Sequence, residues 1–315
     1  MDIQIGNRQS AIGNALVECV PNFSEGRKPD VVARLSQAIQ SVETACVLDT
    51  HIDPDHNRSV ITFVAAPAFI VEAAVRVVAL ASKLIDMRTH TGVHPRLGAT
   101  DVLPFVPISG ISLDDCVTLA HHAGRRIADE LSIPVFFYER AAIRPDRVNL
   151  EDVRRGALEL LREQIAVDPN RAPDAGPLLV HKTGGAIAVG ARPFLIAFNI
   201  TLKTTDVLIA RTIARAVRAR HGGLLFVKAL GFELPSRGLV QVSMNLVNYE
   251  ETGMAKAYEA VRKEAERLGV EIAGTEIVGL VPEAALDTKA EYFLRLEHFD
   301  ANKVIEHRIK DRCKA

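Results

Sequence analysis

Phe194-Leu-Ile-Ala-Phe-Asn-Ile-Thr-Leu202 opens the stretch of chain that decides the architecture. Its aromatic and β-branched residues predict a strand. Thr204 or Thr205 then caps a helix to about Arg218, and Leu224–Leu230 and Leu239–Leu246 predict two more strands. After Gly253, a helix carries Met254, Tyr258, Val261, Ala265 and Leu268 on one stripe, and Gly269 can end it in the left-handed conformation. Val270–Val281 predicts a last strand. The order is β-α-β-β-α-β.

Working outward, the same logic holds in the first half. Ala15–Val20 reads as a buried strand leading into Pro21-Asn-Phe-Ser-Glu-Gly26. A helix starts at about Pro29, where the missing proline N–H costs nothing, with Val32, Leu35 and Ile39 on one face. A short apolar run, Cys46–Asp49, and a polar segment, His51–Arg58, precede a strand at Ser59–Val64. Residues 67–85 are an amphipathic helix, with Ile70, Ala74, Val77, Ala81 and Leu84 inward and Glu72 and Arg76 on the wet side. A loop rich in Pro, Gly and His is expected over Asp86–Gly110. Ser112 with Asp115 resembles a capping box opening a helix to about Leu131. A strand at Ile133–Tyr138 and a helix over about 150–165 follow. The Pro-rich Ala166–Pro177 reads as a linker, which gives an N-terminal subdomain over 1–170 and a C-terminal one over 171–315. The fold class is α/β (α+β), with two ferredoxin-like βαββαβ subdomains.

The chain has 315 residues, 48% of them hydrophobic and 24% charged, which supports ordinary cores and excludes disorder. With 38 basic against 39 acidic residues, nothing points to nucleic acid or an anionic membrane. Cys19, Cys46, Cys116 and Cys313 show no CxxC spacing, so neither a zinc site nor a disulfide framework is expected. Residues 1–14 lack the pattern of a secretory signal, and Glu72 and Arg76 interrupt the most apolar stretch. A reduced, cytoplasmic setting is the expectation.

The loop Asp86-Met-Arg-Thr-His90-Thr-Gly-Val-His94-Pro-Arg96-Leu-Gly98-Ala-Thr-Asp101 holds two histidines, two arginines and two carboxylates. Histidine meets the needs of general acid–base work with little tuning, and arginine forks suit carboxylate ligands. A solvated loop whose histidines cap turns is the plainer reading, and its length weighs against that. A metal site on His90 and His94 is the other one. Gly92 and Pro95 oppose a helix there, and the glutamate of an HExxH motif is missing, so no metal is expected. Asp53-Pro-Asp55-His56-Asn57-Arg58 is a second cluster, either a turn tip or an Arg and an amide at a strand entrance. No GxSxG, P-loop or suitably placed GxGxxG is present, so serine-nucleophile, ATP and dinucleotide chemistry lose support.

Several of these blocks together resemble the formiminotransferase family. They are Val17–Gly26, Ile85–Asp101 with its His94-Pro-Arg96 triplet, Phe194–Ile200, Gln241–Leu246 and Glu276–Pro282, so the resemblance runs from about residue 15 to 290. It implies a folate-binding tunnel between the two subdomains, a homodimer, and tetrahydrofolate as co-substrate without a metal. It also implies transfer of a formimino group from N-formimino-L-glutamate to tetrahydrofolate. The catalytic histidine of the family falls on His94, and its folate loop on Gly176-Pro177-Leu178-Leu179-Val180-His181-Lys182-Thr183-Gly184-Gly185. The bifunctional animal enzymes carry an acidic residue near His51 and a Glu where Val93 stands. They have small polar residues and a proline where Leu178, Leu179 and Lys182 stand. The resemblance covers the transferase half alone, without a cyclodeaminase domain.

In such a reaction N5 of tetrahydrofolate attacks the amidine carbon, and one histidine, His94, moves a proton from N5 to the leaving nitrogen. Arg58, Arg96 and Lys182 are candidate clamps for substrate carboxylates, and His90, Asn57 and His51 candidate contacts. The expected partners are the two small substrates. Rival readings are a related folate reaction such as 5-formyltetrahydrofolate handling, a metal hydrolase, or a non-catalytic folate binder.

Overall fold

The computed structural model describes residues 15–54, 56–92 and 95–313. They form β1 (Leu16–Cys19), β2 (Asn22–Phe23), α1 (Pro29–Gln40), β3 (Cys46–Asp53), β4 (Arg58–Ala65), α2 (Pro67–Leu84), β5 (Thr100–Ser109), α3 (Leu113–Leu131) and β6 (Val135–Glu139). Next come α4 (Leu150–Val153), α5 (Ala157–Gln164), β7 (Ile187–Ala191), β8 (Ile196–Leu202), α6 (Val207–Val217), β9 (Val227–Leu234), β10 (Leu239–Leu246), α7 (Met254–Arg267), β11 (Ile272–Val278), α8 (Glu291–Leu294) and α9 (Ile305–Arg312).

The helices begin where local chemistry lets them. α1 and α2 each start on a proline, and α1 buries Val31, Val32, Leu35 and Ile39. α3 opens with the expected capping box, Asp115 N–H donating to Ser112 Oγ and Ser112 N–H to Asp115 Oδ2. α6 differs from expectation at its start. Asp206, not Thr204 or Thr205, is its cap, accepting from Leu208 N–H at 2.9 Å, and a carboxylate there also favours the helix dipole.

The chain divides into two compact units, 1–192 and 193–315. In the first, β1 and β2 act as one interrupted strand between β4 and β5, giving the order β3, β4, β1/β2, β5, β7, β6. β5–β7 and β7–β6 are parallel and the other pairs antiparallel. In the second unit the order β11-β8-β10-β9 is antiparallel throughout. Both units thus run β-α-β-β-α-β with the last strand beside the first, and the first unit extends this with β7 and β6.

Three further expectations needed correction. The loop after α2 ends at 99, because Thr100–Ser109 is a strand despite Pro104 and Pro107. Both prolines sit where the ladder is already interrupted: Pro107 beside the register shift at Leu16/Val17, and Pro104 against the break between β1 and β2. The polar His51 and Asp53 are part of β3, held by pairing with β4. The units part at Arg192/Pro193 and not at 170/171, since Ala175 bonds to Val135 and Ile187–Ala191 threads between β5 and β6.

One face of the first sheet packs Val17, Phe63, Leu103 and Phe105 against Ile70 and Val77 of α2 and Ile127 of α3. A smaller core on the opposite face joins Val102, Phe136 and Tyr138 to Val153 and Leu161 of α4 and α5. The second sheet packs Phe198, Ile200, Val240 and Met244 against Ile213 of α6 and Tyr258 and Val261 of α7. No helix among the described residues is long and apolar enough to cross a membrane.

Candidate active site

A small cleft in the first unit is lined by Phe23 at the end of β2 and Ser24 after it, His56, Asn57 and Arg58 at the β3–β4 turn, His90 and Arg96 from the α2–β5 loop, and Asp101 at the start of β5. The turn is shaped by Asp53, whose carboxylate accepts from His56 N–H at 3.0 Å and meets His56 Nδ1 at 2.6 Å. Burial works to raise the Asp53 carboxyl, and the His56 hydrogen bonds outweigh it, holding the group below its ordinary range.

Asn57 joins three segments. It takes a left-handed φ of 50°, its Oδ1 accepts from Gly26 N–H at 3.0 Å, and its Nδ2 donates to Thr91 O at 2.9 Å. Its own carbonyl lies 3.2 Å from His90 Nε2. A carbonyl only accepts, so His90 carries its proton on Nε2. The other ring nitrogen, Nδ1, accepts from Arg96 Nε at 3.2 Å. Both nitrogens are therefore engaged and the ring is neutral. Burial lowers the His90 pKa, and the Arg96 charge works in the same direction.

Arg96 also grips Glu159 of α5, through Nη2–Oε1 at 2.7 Å and Nη1–Oε2 at 3.2 Å. This bidentate pairing replaces the Asp86 or Asp101 partner a surface arginine would find nearby in sequence. Asp101 instead pairs with Arg154 of the segment after α4 and accepts from Leu97 N–H at 2.9 Å. Arg58 donates to Asn22 Oδ1, and burial, with Arg154 close by, brings its pKa down to about 10, so it stays cationic at neutral pH.

Two glycines set the seam between the α2–β5 loop and the 176–185 segment. A Cβ on Gly98 would lie 2.2 Å from Ala186 O, and one on Gly185 2.5 Å from Leu97 O, with Gly185 already at a φ of 75°. This close approach lets the α2–β5 loop pair with the 176–185 segment through Ala99 N–H to Gly184 O at 2.8 Å and Met87 N–H to Thr183 O at 3.0 Å.

Of the residues singled out from sequence, Asn57, Arg58, His90 and Arg96 come together in the cleft. His51 does not; it lies exposed on β3, opposite Val60. The segment Gly176–Gly185 is bonded to the loop, but none of its residues lines the cleft. Within it Leu178, Leu179 and Lys182 are exposed, Pro177, Val180, His181 and Thr183 half-buried, and Gly184 and Gly185 buried. His94 and Val93 lie outside the described residues. Sequence reading missed Asp101, Arg154 and Glu159 as members of the network. Asp101 stood in the quoted loop, whereas no local signal marked Arg154 or Glu159, which reach the cleft only through the fold. Among the described residues no group of three or more His, Cys, Asp or Glu could hold a metal ion.

Comparison with known proteins fits this geometry. A model of the formiminotransferase domain, N-terminal subdomain, matches residues 16–192, and one of the formiminotransferase domain matches 197–311. A glutamate formimidoyltransferase of Thermoplasma acidophilum is 49% identical over 298 residues, covering 94% of this chain and 98% of that protein. One from Streptococcus pyogenes serotype M1 is 45% identical over 290 residues, with 92% and 97% covered. The formimidoyltransferase-cyclodeaminase of Rattus norvegicus is 43% identical over 302 residues, which is 94% of this chain but 55% of that longer protein. With both domain models meeting where the two units part, the chain belongs to the formiminotransferase family.

Proposed function

We propose that the protein is a glutamate formimidoyltransferase that moves the formimino group of N-formimino-L-glutamate to N5 of tetrahydrofolate, releasing L-glutamate. The observation that carries this reading is near-full-length likeness to two proteins of that name, 49% and 45% identical. Local chemistry supports it. The cleft gathers two arginines, Arg58 and Arg96, in a protein of balanced charge, which suits a substrate with carboxylates.

In this reading His94 takes the N5 proton and returns it to the departing glutamate nitrogen. His90 cannot share that task, because both of its ring nitrogens already have partners. It orients Arg96 instead, and Arg96 clamps a substrate carboxylate after exchanging Glu159 for it. Lys182 and the exposed Leu178 and Leu179 contact the folate. Holding two substrates side by side supplies a large part of the rate, since effective molarity alone is worth roughly 7–11 kcal/mol. The strand order common to both units supports reading each as ferredoxin-like. The folate tunnel, the homodimer and the cytoplasmic setting belong to the same proposal and rest on the family resemblance.

The test is direct. Purified protein given tetrahydrofolate and N-formiminoglutamate should form 5-formiminotetrahydrofolate with chelator present. Turnover with N-formylglutamate alone would replace the formimino reading by formyl transfer, and inhibition by chelator would restore a metal mechanism.

A further inference from the structure

The two halves of the Arg96–Glu159 pair are held very differently. One edge of the Arg96 guanidinium is turned to His90, with Nε donating to Nδ1 at 3.2 Å and Nη2 to the His90 carbonyl at 3.5 Å. His90 is itself bonded to Asn57 O, so the fork is aimed by groups that do not depend on Glu159. The other edge, Nη1 with Nη2, is filled by the Glu159 carboxylate. The Arg96 side chain is 14% exposed, whereas that of Glu159 is 58% exposed. The backbone carrying Glu159 is fixed, since Leu158 and Leu161 are fully buried and Leu158 N–H donates to Arg96 O at 2.9 Å. Arg162 Nη2 adds a bond to Met87 O at 3.1 Å. The carboxylate can therefore swing off the fork by side-chain rotation while α5 and the loop stay docked. Burial works to raise the Glu159 carboxyl, and the Arg96 hydrogen bond outweighs it, so the group is an anion at neutral pH.

We infer that Glu159 is a built-in competitor for the Arg96 fork, which lowers the affinity for substrate and for product glutamate by one common factor. The inference rests on the reading of Arg96 as a carboxylate clamp and adds what that clamp does to release. Exchanging one carboxylate for another on the same fork is nearly even, so the clamp supplies geometry more than affinity. L-glutamate keeps both carboxylates after losing the formimino group, and an unopposed fork would retain it as firmly as the substrate. Glu159, tethered within reach, takes the fork back as the product leaves. It touches no reacting atom and is a positioning residue acting through Arg96.

The Kd values for L-glutamate and for N-formiminoglutamate decide this, measured by calorimetry without tetrahydrofolate so that nothing turns over. In Glu159→Gln both should fall by about two- to fivefold, the worth of a partly exposed pair, and by the same factor. The KM for N-formiminoglutamate should fall with them, and kcat should not rise. In an Arg96→Ala background, adding Glu159→Gln should leave both Kd values within about twofold, because the competitor acts only through the fork. Unchanged or weaker binding in a folded Glu159→Gln variant would overturn the inference, the weaker result making Glu159 a brace for Arg96. Tightening that persists without Arg96 would overturn it too, as a general effect of removing a negative charge. So would L-glutamate failing to bind to either protein. If both ligands bind and tighten together, yet no 5-formiminotetrahydrofolate forms with tetrahydrofolate, the reaction assigned above fails and the competitor stands.

Discussion

The first and second sheets share a strand order but bury different chemistry. Among the described residues, the first unit buries Glu18, Glu25, Asp101 and Arg147, whereas the buried polar residues of the second, Asn199, Thr201, Gln241, Thr252 and Thr275, are all neutral. Each buried charge is expensive unless paired and hydrogen-bonded, and the first unit supplies partners: Arg154 for Asp101, Asp174 for Arg147 at 2.5 Å, and backbone N–H groups of Arg27 and Lys28 for Glu25. A scaffold that works without this cost in one unit and with it in the other points to the unit where function demands charge.

The hardest blow to that contrast would come from His94. His94→Ala should lower turnover by about 10²–10⁴ while folate still binds, measured by steady-state kinetics and equilibrium titration. Undiminished turnover would take the proton transfer away from this loop. Next in size is Asp101→Asn, which takes from Arg154 its paired carboxylate and from Arg58 one of its nearby countercharges. Unfolding free energy from denaturant titration should fall by about 3–5 kcal/mol. A loss under about 1 kcal/mol would mean that this buried charge is cheap.

Glu18 gives a pH signature. Burial in β1 raises its carboxyl to about 7, against the pull of Arg192. The folded state therefore holds a proton that the unfolded chain gives up at its ordinary, lower pKa. The stability tied to this group is complete below that ordinary value and is lost as pH climbs through about 7. Glu18→Gln should match wild type at about pH 5 and exceed it by about 2–3 kcal/mol at about pH 8, read from urea midpoints. Parallel curves would show that Glu18 is ionised at both.

Smaller effects sharpen the picture. Arg96→Lys should raise the KM for N-formiminoglutamate by about tenfold, nearly as much as Arg96→Ala, because an ammonium cannot replace the fork. Restoration by Lys would reduce Arg96 to a point charge. In the second unit, Arg237 and Glu297 form a partly exposed pair at 2.9 Å, and Arg237→Ala should cost no more than about 1 kcal/mol by the same titration. A loss as large as that of Asp101→Asn would erase the difference between the units.

How much could be read from residues follows the range of the forces. The stripe of Ile70, Ala74, Val77 and Ala81, the Ser112/Asp115 box and Gly253 before α7 act within a turn or two, and sequence places them well. β5 was hidden because Pro104 and Pro107 signal a loop, and only the interrupted neighbouring strand makes them harmless. The cleft was half legible. Arg96 and His90 lie six residues apart, but Glu159 meets Arg96 from 63 residues away, and nothing along the chain announces that meeting.

The seam where Gly98 faces Gly185 also bears on how this site can change over generations. Every single-nucleotide replacement of a glycine codon that alters the residue brings a side chain with a Cβ. At position 98 that atom would fall 2.2 Å from one carbonyl oxygen and 2.3 Å from another. No first step by point mutation is therefore open there, however mild the substitution looks on paper. The flanking positions can drift and retune substrate preference, while the two loops stay locked in the register that only a pair of hydrogen side chains permits.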